Sequence, residues 1–191
     1  MIYYNFSRTW FYSSKKGNIY RKKLEVPMDS HSLLFKDDGI IPNNPDLPVL
    51  IYKHAFGKGN EIEERFYKNN WRNSWEGGVF DYHHFHSNTH EALGVMQGTA
   101  TIMLGGEQGQ SIEVKTGDVM ILPAGTGHKC ILASPDFMVL GAYPNGMNYN
   151  LKTGESRNRP EVISEIKQVP LPDYDPVFGK NGPLLSEWLK K

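Results

Sequence analysis

The chain has 191 residues, enough for one domain with a sizeable core. Lys plus Arg and Asp plus Glu both number 21, so no net charge draws the chain to nucleic acid or to an anionic membrane. The single cysteine, Cys130, excludes an internal disulfide and a Cys-based zinc cluster and suits a reducing cytoplasm, and no apolar stretch approaches the ~20 residues that span a bilayer.

Residues 1–30 read as an N-terminal extension. No acidic residue precedes Glu25, whereas Arg8, Lys15, Lys16, Arg21, Lys22 and Lys23 do, among many aromatics. The segment lacks the apolar stretch of a secretory signal and the periodicity of an amphipathic transit helix. A loosely ordered tail is expected, and Met28 could equally begin a chain. Residues 31–191 then form one domain, with a core over about 47–143 and a C-terminal tail over 145–191.

Within the body, residues 40–46 form a turn-rich lead-in loop and residues 47–52 a strand, with Pro48 near its start where a lost donor matters least. Residues 60–68 suit a short helix: Asn60 is placed to cap it, Glu63 has capping-box spacing, and Ile62 and Phe66 share a face. Strands follow at 79–86, 91–97, 99–104, 110–115, 119–122, 127–133 and 137–143, broken by Gly98, Gly105-Gly106, Gly117, Gly125 and Ser134-Pro135. Short, evenly spaced strands with glycine turns predict an all-β sandwich or barrel. In the tail, Pro160 opens a helix with Val162, Ile163 and Ile166, residues 171–176 are extended, and Pro183 opens a last helix with Leu184, Leu185, Trp188 and Leu189. That apolar set needs cover, from the barrel or from a partner subunit.

Four of the seven histidines fall at positions 83, 84, 86 and 90. In a strand, residues i and i+2 share a face about 6.5–7 Å apart, so His84 and His86 can converge on one ion. Ser87, Asn88 and Thr89 form turns readily, which lets Glu91 begin the next strand on the same interior face. His83 and His90, immediate neighbours of those positions, should point away. His86 and His90 have helical metal-site spacing, but they sit between β-type segments, and the zinc-protease pattern His-Glu-x-x-His is absent. His128 alone carries little weight.

Two longer patterns change that weight. Gly78 is followed by five residues, His84-Phe85-His86, four residues, Glu91, six residues and Gly98. Gly117 leads through five residues to Pro123-Ala124-Gly125-Thr126-Gly127-His128. Together they closely resemble the two motifs of the cupin superfamily, which implies a cupin jelly-roll barrel with short peripheral helices. The resemblance further implies that His84, His86, Glu91 and His128 hold one divalent metal ion. An asparagine common four residues after the last histidine is replaced by Leu132. The flanks resemble the narrower YjlB type of small bacterial cupin, in residues 37–44, 71–75, 141–144, 175–179 and 182–184, so the likeness spans about 33–189.

Three neutral imidazoles and one carboxylate leave +1 on a divalent ion, and such a set suits Fe(II), Mn, Ni, Co or Zn. Four protein ligands on an octahedral ion leave two positions open for Lewis-acid chemistry, O2 or water. Alternation places Phe80 and Tyr82 with His84 and His86, Leu93, Val95 and Gln97 with Glu91, and Cys130 and Leu132 with His128. The expected pocket is apolar, with Tyr82, Gln97 and Cys130 as polar candidates for catalysis or substrate contact and Leu132 as lining. Arg72, between Trp71 and Trp75, could meet a carboxylate or phosphate, or simply be a solvated Arg stacked on a Trp. The functional expectation is a metal-dependent enzyme on a small organic molecule, of dioxygenase, isomerase or decarboxylase type. The alternatives are a non-catalytic module that binds or senses a sugar or other small molecule, and a metal that only stiffens the barrel. A homodimer is expected.

Overall fold

The computed structural model describes residues 29–154 and 159–189. Most of the expected N-terminal extension lies outside the described residues, but its last two residues begin the first strand, β1 (Asp29–Leu33). The other strands are β2 (Val49–Lys53), β3 (Trp71–Gly77), β4 (Glu91–Gln97), β5 (Thr99–Leu104), β6 (Gln110–Lys115), β7 (Val119–Leu122), β8 (His128–Ala133) and β9 (Met138–Pro144). All pair antiparallel, in a six-stranded sheet of order β1-β2-β7-β4-β9-β3 and a three-stranded sheet of order β6-β5-β8.

Side-chain alternation explains how the sheets meet. In β5, Ala100, Ile102 and Leu104 are buried while Thr99, Thr101 and Met103 are less so. The buried row joins Val114 of β6 and faces Val49, Ile51, Leu93, Val95, Met120, Leu122 and Val139 of the larger sheet, forming the barrel interior. The larger sheet buries its outer face too. Leu50, Tyr52, Ala92, Val119, Ile121, Leu140 and Ala142 lie under Ile62 and Phe66 of α1 (Ile62–Lys68) and under Val177, Leu184 and Trp188 of the tail. The tail therefore spends its apolar face on its own barrel, and the reason it offered for a partner subunit lapses.

Asp175 anchors this tail. Its buried carboxylate accepts from the Tyr52 hydroxyl at 2.6 Å and from the amides of Val177, Phe178 and Leu184 at 2.8–3.1 Å. The last helix, α3 (Pro183–Trp188), opens on its proline as expected. A preceding helix, α2 (Arg159–Gln168), sets Val162 and Ile166 against Ile41, Phe85 and Ala124 at one end of the barrel.

Three local expectations differ from the structure. Asn60 does not cap α1: it sits in a 3₁₀ turn (Gly59–Glu61) whose carbonyls take the next amides, Glu61 N on Lys58 O and Ile62 N on Gly59 O. With those donors satisfied, the helix starts at Ile62, with Glu61 at the N-cap position and no side-chain cap. Residues 79–86 are not a regular strand, because the chain bends at Asp81 and Tyr82. Only His84 and Phe85 form bridges, to His128 on one side and Lys152 on the other. Finally, Trp71–Gly77, unassigned from sequence, is an edge strand with a bulge between Arg72 and Trp75, where Asn73 takes a φ of 55°.

Candidate metal centre

Four polar side chains meet at one end of the barrel. His84 and His86 come from the irregular segment, Glu91 opens β4 and His128 opens β8. All four are buried, at 2–6 % exposure. The bridge between His84 and His128, with backbone bonds of 3.2 and 3.0 Å, sets their rings 4.0 Å apart. His86 stands 6.2 and 6.1 Å from those rings. Glu91 Oε2 lies 3.4 Å from His86 Nε2 and 3.5 Å from His128 Nε2. Among the described residues, no three such donors are already drawn in to the separations of a closed metal site.

The tautomers are decided by backbone carbonyls. His84 Nδ1 meets the Tyr82 carbonyl at 3.2 Å, His128 Nδ1 meets the Thr126 carbonyl at 3.1 Å, and His86 Nδ1 bonds the Asn150 carbonyl. A carbonyl only accepts, so each Nδ1 carries hydrogen and each neutral ring keeps its lone pair on Nε2. His90 is the opposite case. Its Nδ1 accepts from Ala124 N at 2.9 Å, so its hydrogen sits on Nε2, toward the Pro170 carbonyl, and its ring lies on Trp188 at 4.8 Å. His83 stands apart as well, 3.4 Å from Glu107.

Glu91 is held from behind. Tyr143 donates its hydroxyl hydrogen to Glu91 Oε1 at 2.9 Å, and Trp75 Nε1 donates to the Tyr143 oxygen at 2.8 Å. Glu91 Oε2 is buried and has no hydrogen-bond partner. Burial alone would raise the Glu91 carboxyl, but His86, His128 and the Tyr143 hydroxyl outweigh it and bring it down to about 2. Burial, with His84 beside it, holds His128 at about 3, and burial lowers His84. For His86 burial again opposes charge, yet the nearby Glu91 carboxylate, with the Asn150 carbonyl, raises it. Burial, and then Glu91, push Tyr143 far above its ordinary value, so it remains a donor.

Loops beyond the motifs fix the segment. Asn150 side-chain oxygen accepts from Ser87 N at 2.9 Å, its amide donates to Ser87 Oγ at 2.9 Å, and Ser87 Oγ donates to Glu165 of α2. Gly125 N donates to the His86 carbonyl at 2.7 Å. Gly125 has a φ of 91°, and a Cβ there would stand 2.9 Å from Asn43 O, so this turn of the second motif accepts only glycine.

The remaining sequence candidates separate. Tyr82 lies at the mouth, half-exposed, stacked on Phe80 at 5.0 Å with its ring 5.9 Å from His84. Cys130 is half-buried against the interior, and burial raises its thiol, which stays protonated. Gln97 is exposed and donates to Asp136 at 3.2 Å, outside the cluster, and Leu132 is 70 % exposed. Both corrections have one cause, a bulge. Val95 pairs with Val139 but Gln97 with Met138, so Gln97 faces away from Val95. Cys130 pairs with Ile102 but Leu132 with Thr101, so Leu132 turns outward. Arg72 is exposed and sits over Tyr67 at 4.6 Å, stacked on a tyrosine and outside the cluster. Tyr143, Trp75, Asn150 and Tyr149 were not found from sequence as site residues. Tyr149 stacks on Tyr143 at 4.5 Å and tilts over His86 at 5.1 Å.

Two facing antiparallel sheets, with an end cluster of imidazoles and a carboxylate, define a cupin domain, and the family pattern for the cupin domain matches residues 73–140. Over 162 residues the chain is 48% identical to the uncharacterised protein YjlB of Bacillus subtilis (strain 168), covering 85% of this chain and 98% of that protein. The chain belongs to the YjlB family of small bacterial cupins. Among solved structures, the WlaRB TDP-quinovose 3,4-ketoisomerase of Campylobacter jejuni superposes with a TM-score of 0.37 at 18% identity, over 49% of this chain and 75% of that one. An uncharacterised conserved protein with a double-stranded β-helix domain from Klebsiella pneumoniae superposes with a TM-score of 0.34 at 17% identity, over 68% of this chain and 85% of that one. Among the described residues, no helix is long and apolar enough to cross a membrane.

Proposed function

We propose that His84, His86, Glu91 and His128 hold one divalent metal ion, and that the protein is a metal-dependent enzyme acting on a small organic molecule at the mouth of the barrel. One observation carries this reading: a buried carboxylate oxygen, Glu91 Oε2, has no hydrogen-bond partner and is faced by the Nε2 atoms of His86 and His128. An ionised oxygen left that way in a dry interior is costly unless a cation meets it. Two donors about 2.1 Å from one ion and at right angles would stand about 3.0 Å apart, so shifts of about half an ångström would bring the Nε2 atoms of His86 and His128 to that separation from Glu91 Oε2. The Nδ1 bonds to carbonyls orient the rings for that role.

A nitrogen- and oxygen-rich set without thiolate suits Fe(II), Mn, Ni, Co or Zn, and the ion would supply Lewis acidity or a site for O2 or water. The chain's own residues do the rest. Phe80 and Tyr82 on one side and Tyr149 on the other give the mouth flat apolar walls that orient a small substrate and limit water. Glu91 and the Asn150 carbonyl favour the charged form of His86, so a metal ion at its Nε2 would compete with a proton there.

Elemental analysis of protein purified without a histidine tag tests the metal. O2 uptake and product analysis then follow, with the Fe(II)- or Mn-loaded protein and a panel of enediols, catechols and flavonols. Turnover that vanishes in His86→Ala supports catalysis. Ligand binding without turnover for any metal replaces the enzyme with a binding module. Stoichiometric metal with neither turnover nor ligand binding leaves it a structural ion.

A further inference from the structure

The chain's YjlB-type stretches outside the two histidine motifs include residues 71–75 and 141–144. Their members Trp75 and Tyr143 stand back to back behind the candidate centre. We infer that Trp75 and Tyr143 are positioning residues that fix Glu91 as a one-oxygen ligand, with Oε1 held on Tyr143 and only Oε2 presented to the ion. The inference rests on the metal reading above.

The geometry leaves little freedom. An indole N–H only donates, so the 2.8 Å bond from Trp75 Nε1 makes the Tyr143 oxygen an acceptor on that side. Its hydroxyl hydrogen is then directed to Glu91 Oε1, 2.9 Å away. Tyr143 is fully buried, with Tyr149 stacked on it and His86 edge-on at 5.7 Å, so its ring cannot swing aside. Trp75 is seated by Gly141, directly opposite across the ladder: a Cβ at Gly141 would lie 2.3 Å from the indole. The bulge between Arg72 and Trp75 brings the indole inward, against the interior cluster. With Oε1 engaged, Glu91 offers one oxygen, and an octahedral ion held by four donors keeps two positions for a substrate. A carboxylate free to chelate through both oxygens would leave one.

The test titrates Mn(II) into chelator-stripped wild type, Tyr143→Phe, Trp75→Phe and the double variant, with circular dichroism as the check on folding. Mn(II) affinity should fall 10- to 100-fold in Tyr143→Phe and less in Trp75→Phe. The double variant should be no weaker than Tyr143→Phe, because the indole acts through the hydroxyl. The EPR spectrum of bound Mn(II) should change in each variant, a readout that a merely structural role would not move. Wild-type affinity with a wild-type EPR spectrum in Tyr143→Phe overturns the inference, as does a double variant whose loss is the product of the single losses. If Tyr143→Phe fails to fold, Trp75→Phe decides: it keeps the hydroxyl but frees its rotation, and an unchanged spectrum overturns the inference. Wild type that binds no divalent ion defeats the metal reading and this inference together. Binding that Glu91→Gln weakens and Tyr143→Phe leaves intact defeats the positioning role alone.

Discussion

Replacing His90 by Asn should flatten the acid side of the stability curve of the metal-free protein. His90 is fully buried against Trp188, its Nδ1 accepts from Ala124 N, and burial holds its pKa at about 3. The unfolded chain takes up this proton near pH 6.5. Its folded pKa is depressed, so the unfolded state binds more protons between the two values, and the stability His90 contributes is complete above about pH 6.5 and lost as pH falls. At pH 5 the loss is RT ln(1 + 10^1.5), about 2 kcal/mol, and it depends little on the folded value because pH 5 lies well above that value. Asn retains an acceptor for Ala124 N and does not titrate, but it forfeits the ring contact with Trp188, roughly 1 kcal/mol. The variant should therefore be about 1 kcal/mol less stable than wild type at pH 8 and about 1 kcal/mol more stable at pH 5. Urea unfolding followed by tryptophan fluorescence in chelator measures both, and titration of His84 and His128 cancels in the comparison. A gap between wild type and variant that stays constant to about 0.5 kcal/mol across that range would refute the reasoning.

Three further outcomes follow from named contacts. Glu91→Gln should leave the fold intact by circular dichroism yet reduce bound metal at least tenfold by elemental analysis, and unchanged metal content would remove Glu91 from the centre. Asp175→Ala leaves the Tyr52 hydroxyl and three tail amides without their acceptor, so urea unfolding should show a loss of about 3–5 kcal/mol, and limited proteolysis should cut after residue 170. Gly125→Ala forces a left-handed backbone and a 2.9 Å approach to Asn43 O, so thermal unfolding should show a Tm several degrees lower, with reduced metal content because this turn carries the chain to His128.

Where local rules suffice, the sequence was a good guide. Strands β4 to β7 match their expected bounds because alternation and glycine turns act over a few residues. It misled where a single inserted residue resets alternation. Gln97 and Leu132 were placed on the inner face by counting in twos, and each lies just past a bulge that reverses the face. A bulge leaves no strong local trace: Met96 and Ile131, within the two shifted stretches, are ordinary strand residues. Trp71–Gly77 escaped notice for a related reason, since its polar, bulged course shows neither period clearly.

The candidate centre divides along the same line. His84 and His86 stand two apart on an extended stretch, and Glu91 follows one bend later, so their convergence is local and was legible. The groups that hold them come from far along the chain: Asn150 for His86, Glu165 through Ser87, Tyr143 and Trp75 for Glu91. Spacing carries no information about such pairs, because each depends on which strand lies beside which. Tautomers add a criterion that sequence lacks. His84, His86 and His128 carry Nδ1 hydrogens against carbonyls and keep a lone pair on Nε2, whereas His90 carries its hydrogen on Nε2 and uses Nδ1 to hold the second motif's turn at Ala124. One residue beyond the first motif's histidine pair sits a bend that lets a fourth imidazole do the opposite work. That ring ties the turn of the second motif to the residue just before β4, adding to the Gly125–His86 bond and the His84–His128 bridge that also join the two motifs.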